Sequence, residues 1–348
     1  MEKSLKKDII INRLPVVIYF ILIFAALMVI ISAVAPMSNH EPKTTDTYSD
    51  FSTGWLNCEE SEASLNHLSG TTVIHRTITA ADCNKTLFFF AKTSNIKVFI
   101  DGVCQYRNNH FCSQFFGKTP GALFVNVLIP AKSDGKLLEI EIENPYKDDD
   151  SAKLDEMYIG DISDIIQFQQ QKRFNSFCIS FIIMVLGVVM LLLFIPLTRQ
   201  KIVGIEFLNL GVTAFVSGLY LTTDGRYLQL VFGDAHIYHV IAETALRLSI
   251  LPFLIFLSQM YESYSKRISA ILCVIGEIVF AGCFIGEITE IMDYHETLFL
   301  VHVVFAISML FILVSTIKGI VKAPKENIYH NIGLSLIHIS EPTRLLSI

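Results

Sequence analysis

FCISFIIMVLGVVMLLLFIPL, residues 177–197, is the stretch of sequence that decides the class of this protein. It has no charged side chain over about 20 residues, and at 1.5 Å per residue such a helix crosses a hydrocarbon core of roughly 30 Å. A short polar turn with Arg199 and Lys201 follows, and residues 203–221 form a second apolar run. The sequence therefore predicts a transmembrane helical hairpin whose turn lies in the cytoplasm by the positive-inside rule.

The composition argues against several classes of protein. Of 348 residues, 52% are hydrophobic and 17% are charged, whereas an average soluble domain has about 25% charged residues. The net charge of -6 comes without a basic stripe, a phosphate-binding glycine loop or zinc-finger spacing, so we expect no nucleic acid, cofactor or metal. No Ser/His/Asp or Cys/His grouping has the spacing of a catalytic motif, so we expect no catalytic residues and no enzymatic activity of this chain.

Other apolar runs predict three more crossings and the start of a fourth, at residues 237–260, 268–287, 297–317 and from 328 onward. Residues 1–13 are predicted to be cytoplasmic and residues 14–35 a transmembrane anchor, with signal-peptide cleavage at 33–36 as the alternative. Nearly all short-loop cations lie on the predicted inner side: Lys3, Lys6, Lys7, Arg13, Arg199, Lys201, Lys266, Arg267, Lys318, Lys322 and Lys325. The outer loops carry Arg226 alone, so residues 37–176 are predicted to lie outside the membrane.

Residues 37–160 switch to a period of two, which is typical of β-strands. Leu138, Ile140 and Ile142 alternate with three glutamates, the pattern of a strand with one face on a core and one in water. Asp101-Gly102 separates two alternating runs and favours a type I′ hairpin turn. Further strands are predicted at residues 96–100, 103–107, 122–129 and 157–159, and the continuously apolar residues 87–91 predict a strand that is covered on both faces. The predicted fold class is α+β, with an all-β sandwich outside joined to a polytopic α-helical membrane block.

A connector of residues 161–176 joins the two parts. Its isoleucines, beginning with Ile162 and Ile165, have near-helical spacing behind Asp161 or Ser163 as an N-cap, so we predict a short amphipathic helix. In a receptor this helix would transmit the state of the β domain. A spacer that only packs against the domain is the alternative.

Three runs of the β domain resemble a known module: IKVFIDGVCQY (96–106), ALFVNVLIP (122–130) and LLEIEIEN (137–144). They are similar to the galactose-binding-type jelly roll of glycosidase sugar-binding modules and bacterial receptor ectodomains. The order of anchor, jelly-roll-like domain and closely spaced helices resembles the bacterial seven-transmembrane receptors with diverse intracellular signalling modules, many of which end in a GGDEF diguanylate cyclase. The resemblance implies a receptor in a bacterial cytoplasmic membrane. Its expected partners are the lipid bilayer, a small molecule or carbohydrate outside, and a second copy of the chain.

Four outer side chains are candidates for ligand contact: Trp55, Tyr106, Arg107 and His110. They combine aromatic and polar groups near the predicted hairpin and at the start of the domain. Packing in the core or on the surface is the alternative for each of them.

The cysteines of the outer domain form an even set in an oxidising compartment: Cys58, Cys83, Cys104 and Cys112. Because Cys104 and Cys112 flank a short segment after the hairpin, we predict a disulfide between them, and Cys58 with Cys83 follows by elimination. Free thiols are the alternative. The remaining three cysteines lie in membrane runs and are expected to be packing residues.

Glu243 and Arg247 lie four residues apart inside a predicted membrane helix, so we predict an intramembrane ion pair, with a ligand or gating role as the alternative. Other ionisable side chains in apolar runs are Glu206, Glu277, Glu287 and His302. They leave open a second function, a transporter or membrane enzyme with a substrate-binding ectodomain. In that case Glu243, Glu277 and His302 should line a water-filled cavity.

The end of the chain has a different origin in our interpretation. Residues 334–344 read LSLIHISEPTR, which resembles the in-frame translation of a transposon-derived sequencing adaptor. We therefore expect the natural sequence to end near Gly333 and residues 334–348 to be an artefact. The leading prediction is the sensory part of a receptor whose last crossings and output domain, a GGDEF cyclase first and a histidine kinase second, are missing.

Overall fold

Two antiparallel sheets followed by long helices make up the computed structural model, which describes residues 47–108, 121–146, 151–233, 235–260 and 264–322. The strands of the described chain are β1 Tyr48–Asp50, β2 Leu56–Asn57, β3 Thr71–Thr77, β4 Thr86–Lys92, β5 Asn95–Ile100, β6 Val103–Arg107, β7 Ala122–Leu128, β8 Leu137–Glu143 and β9 Lys153–Gly160. The four-stranded sheet has the order β1-β9-β4-β7 and the five-stranded sheet the order β2-β3-β8-β5-β6. All pairings of these strands are antiparallel.

The two sheets share one hydrophobic core. Leu87 and Phe89 from the four-stranded sheet and Ile140 and Ile142 from the five-stranded sheet belong to a single buried cluster. Alternation along β4, β5, β7 and β8 sends every second side chain into this cluster. The sequence prediction of a β domain with two sheets is therefore confirmed.

The Asp101-Gly102 turn has the backbone that the sequence predicts. The φ angles are 53° at Asp101 and 74° at Gly102, both in the left-handed region that a type I′ turn requires. Strands β1, β2 and β3 were not predicted. In β3 only Ile74 is fully buried, and the residues two positions away on the same face are the polar Thr72 and Arg76, so the sequence lacks an apolar period of two there.

The helices of the described chain are α1 Ile162–Arg199, α2 Ile205–Asp224, α3 Tyr227–Phe232, α4 Ala235–Met260, α5 Lys266–Ile288 and α6 Leu298–Lys322. Five of them, all but α3, are long and apolar enough to cross a membrane. The chain is thus a multi-pass membrane protein, and the predicted crossings agree with the observed helices to within a few residues, apart from the start of the first. The short helix α3 lies where the sequence suggested only a polar loop.

Helix α1 is continuous from the β domain into the membrane segment. It follows β9 directly, and the carboxylate of Asp161 caps it by accepting the Ser163 N–H at 2.8 Å. The predicted connector helix with Asp161 as its N-cap is confirmed, and it runs without a break into the membrane segment, because no helix breaker interrupts the chain before Pro196. With 38 residues, α1 is about 57 Å long.

Glycines allow α1 and α2 to pack backbone to backbone. A Cβ on Gly187 would lie 2.3 Å from the Phe215 nitrogen, and a Cβ on Gly218 would lie 2.4 Å from the Met184 nitrogen. Such close approach through small residues is typical of helix pairs in membranes, where dispersion contacts replace the hydrophobic effect.

The helix connections alternate between two ends of the bundle. The α2–α4 connection and residues 289–297 contact the β domain, whereas the turns after α1 and α4 lie at the other end. Cations gather at that other end: Arg199, Lys201, Lys266, Arg267 and Lys318.

Several predictions fall outside the described residues: the anchor at 14–35, His110, Cys112, the apolar run from 328 and the adaptor-like residues 334–348.

Candidate functional site

The outward face of the four-stranded sheet is covered by helices, although it points away from the core of the sandwich. Phe88 and Phe90 lie on this face, yet only 1% and 2% of their surfaces are exposed. The ring of Phe124 on β7 lies 5.3 Å from each of their ring centroids. Strands β4, β7 and β9 contact α1, α3 and α4 here. The prediction that residues 87–91 are covered on both faces is confirmed.

Two arginines from the helical part lie over these rings. The guanidinium carbon of Arg226 is 3.7 Å from the centroid of Phe90, and that of Arg173 is 5.1 Å from the centroid of Phe124. A cation over an aromatic face contributes about 0.5–2 kcal/mol, more when it is desolvated. Burial lowers the pKa of Arg226, while nearby Asp224 opposes this effect. We call Phe88, Phe90, Phe124, Arg173 and Arg226 the aromatic junction.

A carboxylate clamps α1 to the sheet beside the aromatic junction. Glu156 lies at an irregularity of β9 with φ at 51°, and it binds Arg173 Nη2 at 2.5 Å and Lys172 Nζ at 2.8 Å. Burial raises the pKa of Glu156, but the hydrogen bond from Lys172 and the charge of Arg173 outweigh it, so the pKa lies below its ordinary value. The clamp therefore joins the fourth turn of α1 to the β domain.

The edge of β7 is held by α3 and α4. With its amide oriented to satisfy both groups, Gln229 donates to the Ala122 carbonyl at 3.0 Å and accepts the Phe124 N–H at 3.0 Å. Gly121 has a φ of 73°, and a Cβ there would lie 3.1 Å from the His239 Cβ. This edge therefore needs a glycine for both its conformation and its close contact with α4.

A second contact joins the loop between β8 and β9 to the connection between α5 and α6. Tyr146 donates its hydroxyl to a carboxylate oxygen of Asp293, and its ring stacks on His295 with centroids 4.3 Å apart. The Ser151 hydroxyl lies 3.4 Å from His295 Nε2. Asp293 and Glu296 accept each other's backbone N–H at 2.9–3.0 Å, which is a capping box.

The contact of Tyr146 with Asp293 lies next to the predicted ion pair, because the following residue, Tyr294, binds Arg247. Arg247, which is 3% exposed, places Nη1 2.5 Å from Glu243 Oε2 and donates through Nη2 to the Tyr294 carbonyl at 2.7 Å. Its guanidinium carbon lies 4.1 Å from the centroid of the Tyr294 ring, and the Tyr294 hydroxyl lies 3.0 Å from the Thr244 hydroxyl. The intramembrane ion pair is thus formed, and Asp293 and Tyr294 connect it to the β domain.

The candidate ligand residues do not form one site. Trp55 is 1% exposed, and its indole nitrogen donates to the Phe51 carbonyl at 2.8 Å, so its expected role in ligand contact is wrong and it is a core residue. Tyr106 packs against the core, and burial raises its pKa. Arg107 is exposed on the opposite face of β6, since successive residues of a strand alternate.

Cys58 and Cys83 are free thiols, which contradicts the disulfide predicted between them. Cys58 Sγ lies 3.8 Å from the Val73 carbonyl oxygen, and Cys83 Sγ lies 3.7 Å from that of Thr79. Val73 lies in β3 and Thr79 follows shortly after it, so the two carbonyl groups are six residues apart in sequence. Six residues of extended chain span on the order of 20 Å. A disulfide needs Cα atoms within about 7 Å. Cys104 is also a free thiol in the structure.

The outward face of the five-stranded sheet carries charged side chains. Glu139, Glu141 and Glu143 alternate along β8, with β3 on one side and β5 on the other. Lys97 Nζ lies 2.5 Å from Glu141 Oε1, and both side chains are 27% exposed. The register also places His75 and Phe99 on either side of Glu139. The alternation predicted a water-facing side for these glutamates, but it did not indicate His75 and Phe99, which belong to other strands.

The other ionisable groups of the helices lie apart. Glu206 caps the start of α2 and accepts the Gly204 N–H at 3.2 Å, and Glu287 is buried. Glu277 and His302 are exposed on the surface of the helical bundle. A narrow cleft of about 10 Å³ between α4, α5 and α6 has a different lining: Arg247, Ile250, Gly276, Val279, Phe280, Val301, Val304 and Phe305.

Within the described ranges, no group of three or more His, Cys, Asp or Glu side chains is arranged to hold a metal ion. No family model, no curated protein and no solved structure matches this chain. The functional argument therefore depends on the geometry of the aromatic junction, the Glu156 clamp and the Tyr146 contact.

Proposed function

We propose that this chain is the ligand-sensing and transmembrane relay part of a bacterial signalling receptor, with the sandwich outside the cytoplasmic membrane. The observation that carries the proposal is α1, a single helix that starts on the last strand of the sandwich and continues through the membrane segment. Because no loop separates the two parts, a movement of β9 is transmitted to α1 without a flexible linker. The Glu156 clamp fixes the helix to the sheet at the point where this transfer begins.

A second connection between the sandwich and the helices, the contact of Tyr146 with Asp293, also supports the proposal. A change in the β8–β9 loop would alter the hydrogen bond from Tyr146 to Asp293, and then the contacts of Tyr294 with Arg247. A buried ion pair is sensitive to such a change, because removing a partner leaves an uncompensated charge. Two separate routes thus connect the sandwich to the helices.

In this proposal the sandwich is a jelly roll of the galactose-binding type, and its ligand is a small polar molecule of the carbohydrate class. The all-antiparallel pairing and the non-consecutive strand orders support the jelly roll. The outward face of the five-stranded sheet supports the ligand class, because Glu139 and His75 offer hydrogen-bonding groups beside the ring of Phe99. This face lies on the opposite side of the core from the aromatic junction.

The alternative of a transporter is less well supported. Glu243 is already paired with Arg247, and Glu277 and His302 are exposed on the outside of the bundle, whereas the cleft between α4, α5 and α6 has none of the three in its lining. An ion or substrate pathway would need such groups to converge on a wet interior.

The relay can be tested with the full chain in lipid nanodiscs. A fluorophore on Gln200→Cys, at the far end of α1, reports movement there while a panel of mono- and oligosaccharides is added, in a background in which serine replaces all four outer cysteines, Cys58, Cys83, Cys104 and Cys112. We expect a bound sugar to change the emission. Glu156→Gln should still bind that sugar but show a smaller change. Binding with no change at residue 200, or uptake of the sugar into sealed vesicles, would contradict a relay.

The orientation has its own test. Cys58 and Cys104 are exposed, so a membrane-impermeant maleimide should label both on intact cells, whereas Gln200→Cys should react only after permeabilisation. Labelling of residue 200 alone on intact cells would put the sandwich in the cytoplasm.

A further inference from the structure

Two carboxylates on the outward face of the five-stranded sheet have no cationic partner. Glu141, in the middle of β8, is paired with Lys97 at 2.5 Å. Glu139 and Glu143 lie on either side of it and are half-buried, and within the described ranges no hydrogen bond or ion pair reaches their carboxylates. Arg107 is opposite Lys97 on β6, two strands away from β8. The charges along β8 therefore favour a ligand with a positive group.

The neighbours of Glu139 favour an ammonium group carried by a sugar ring. The register places Phe99 on one side of Glu139 and His75 on the other, and both are half-buried. Residues directly opposite each other have Cβ atoms about 4.5–5.5 Å apart, so one ligand group can contact the carboxylate and the aromatic ring together. An ammonium is attracted by both. The imidazole of His75 offers a hydrogen bond to a hydroxyl group beside it.

A buried amide at the other end of this face is a separate indication of a polar ligand. Asn95 is 5% exposed, and neither its Oδ1 nor its Nδ2 has a hydrogen-bond partner. It lies on the outward face, because it alternates with the fully buried Ile96, and it is opposite Glu143 in the register. Buried polar side chains are nearly always hydrogen-bonded, so a polar ligand gains both a donor and an acceptor at Asn95.

The distance between the two ends of the face indicates the length of the ligand. Four residues of β5 separate Phe99 from Asn95, which is about 13 Å in an extended strand. Glu139 and Glu143 on β8 are separated by the same distance. A single sugar ring is shorter than this, so a ligand that contacts both ends is an oligosaccharide.

We propose that this face binds an oligosaccharide with a free amino group, whose ammonium lies between Glu139 and Phe99 and whose chain extends along β5 and β8 to Asn95. The inference rests on the proposed sensing function and deepens it, because it selects amino sugars over neutral and N-acetylated sugars. Glu139 determines this selectivity, and Asn95 determines the preference for a chain over a single ring.

Calorimetry on the full chain in lipid nanodiscs tests the selectivity. The probes are three trisaccharides of one linkage, built from glucosamine, N-acetylglucosamine or glucose, in mildly acidic buffer that keeps the amines protonated. We expect the glucosamine trimer to bind about 10-fold more tightly than the other two, because it alone forms the charge-assisted hydrogen bond. Glu139→Gln should abolish this preference. Asp101→Asn is the matched control, because it removes the same charge from a 63% exposed side chain and Asn-Gly keeps the hairpin turn, so the preference should remain.

Asn95→Ala tests the length of the bound chain. It should weaken binding of the glucosamine trimer several-fold but leave glucosamine itself unchanged, because one ring occupies only the end at Glu139. An unchanged trimer would overturn the extended mode of binding. Equal affinities for the charged and neutral trimers, or a preference that survives Glu139→Gln, would overturn the amino-sugar site and leave the relay proposal standing. If no trimer binds, the amino-sugar site and the sugar-sensing function are both wrong.

Discussion

The outward faces of the two sheets differ although both sheets enclose the same core. On the four-stranded sheet Phe88 and Phe90 are almost fully buried under the helices, whereas on the five-stranded sheet Glu139, Glu141 and Glu143 are half-buried and charged. Both sets alternate with core residues in the same way. The outward-facing residues of each sheet therefore indicate its surroundings. Apolar residues on the four-stranded sheet lie under the helices, and charged residues on the five-stranded sheet face a polar environment.

The largest expected effect comes from the aromatic rings. Phe90→Ala should lower the free energy of unfolding by about 3–5 kcal/mol, because it leaves a cavity under α3 and removes the surface on which Arg226 lies. Phe99→Ala is the matched control on the five-stranded sheet and should cost about 1–2 kcal/mol, since its ring is only partly buried. Thermal unfolding in nanodiscs measures both. Equal losses would mean that the two outward faces are equivalent.

A smaller effect is expected at the edge of β7. Gly121→Ala should destabilise the protein by about 2–3 kcal/mol, because alanine is strained at a φ of 73° and its Cβ would press on His239. Gly135→Ala has the same strain, with a φ of 74°, but nothing within 4 Å of the new Cβ. It should therefore cost only about 1 kcal/mol. The difference between the variants measures the contact with α4, and no difference would show that this contact is unimportant.

The ion pairs of the two sheets give a third comparison. Glu156→Gln should cost about 1–2 kcal/mol, because Arg173 is largely buried and loses its charged partner. Glu141→Gln, which breaks the more exposed pair with Lys97, should cost less than about 1 kcal/mol. Chemical unfolding of each variant against its double mutant with the paired base gives the coupling energy. A larger coupling for the exposed pair would reverse the ranking.

The smallest effect is the pH dependence of the clamp. Because the folded pKa of Glu156 lies below its ordinary value of 4.5, the ionised carboxylate favours the folded state. Its contribution is fully present above pH 4.5 and is lost as the pH falls through the lower folded pKa. The melting temperatures of wild type and Glu156→Gln should therefore differ near neutral pH and converge in acid. A gap that stays constant below pH 4.5 would assign the effect to another group.

The sequence predicts those elements whose signal is local. Residues 177–197 identify a membrane helix because the bilayer requires a long apolar run, and β8 is evident from strict alternation. The strand β3 is missed because Ile74 is the one apolar residue on its core-facing side, between Thr72 and Arg76. Trp55 is misjudged because its burial depends on Phe51, which accepts its N–H, and on strands far along the chain.

The contacts of the candidate site depend on tertiary packing. Arg226 and Phe90 are far apart in sequence, and neither residue has a motif around it that predicts the other. The ion pair of Glu243 and Arg247 is predictable because both residues lie on one helix, four positions apart. The uninterrupted phenylalanines of β4 did indicate a covered outer face, but they carry no information about which helix covers it.

The unbroken length of α1 makes it a lever arm. From Arg173, where Glu156 holds it, to its end at Arg199 the helix extends about 39 Å at 1.5 Å per residue. A tilt of about 5° about that fulcrum displaces the far end by about 3 Å, which is comparable to the helix shifts of known switching proteins. The glycine contacts with α2 would carry the neighbouring helix along, so a rotation of a few degrees at the sheet becomes a displacement of an entire hairpin at the opposite membrane surface.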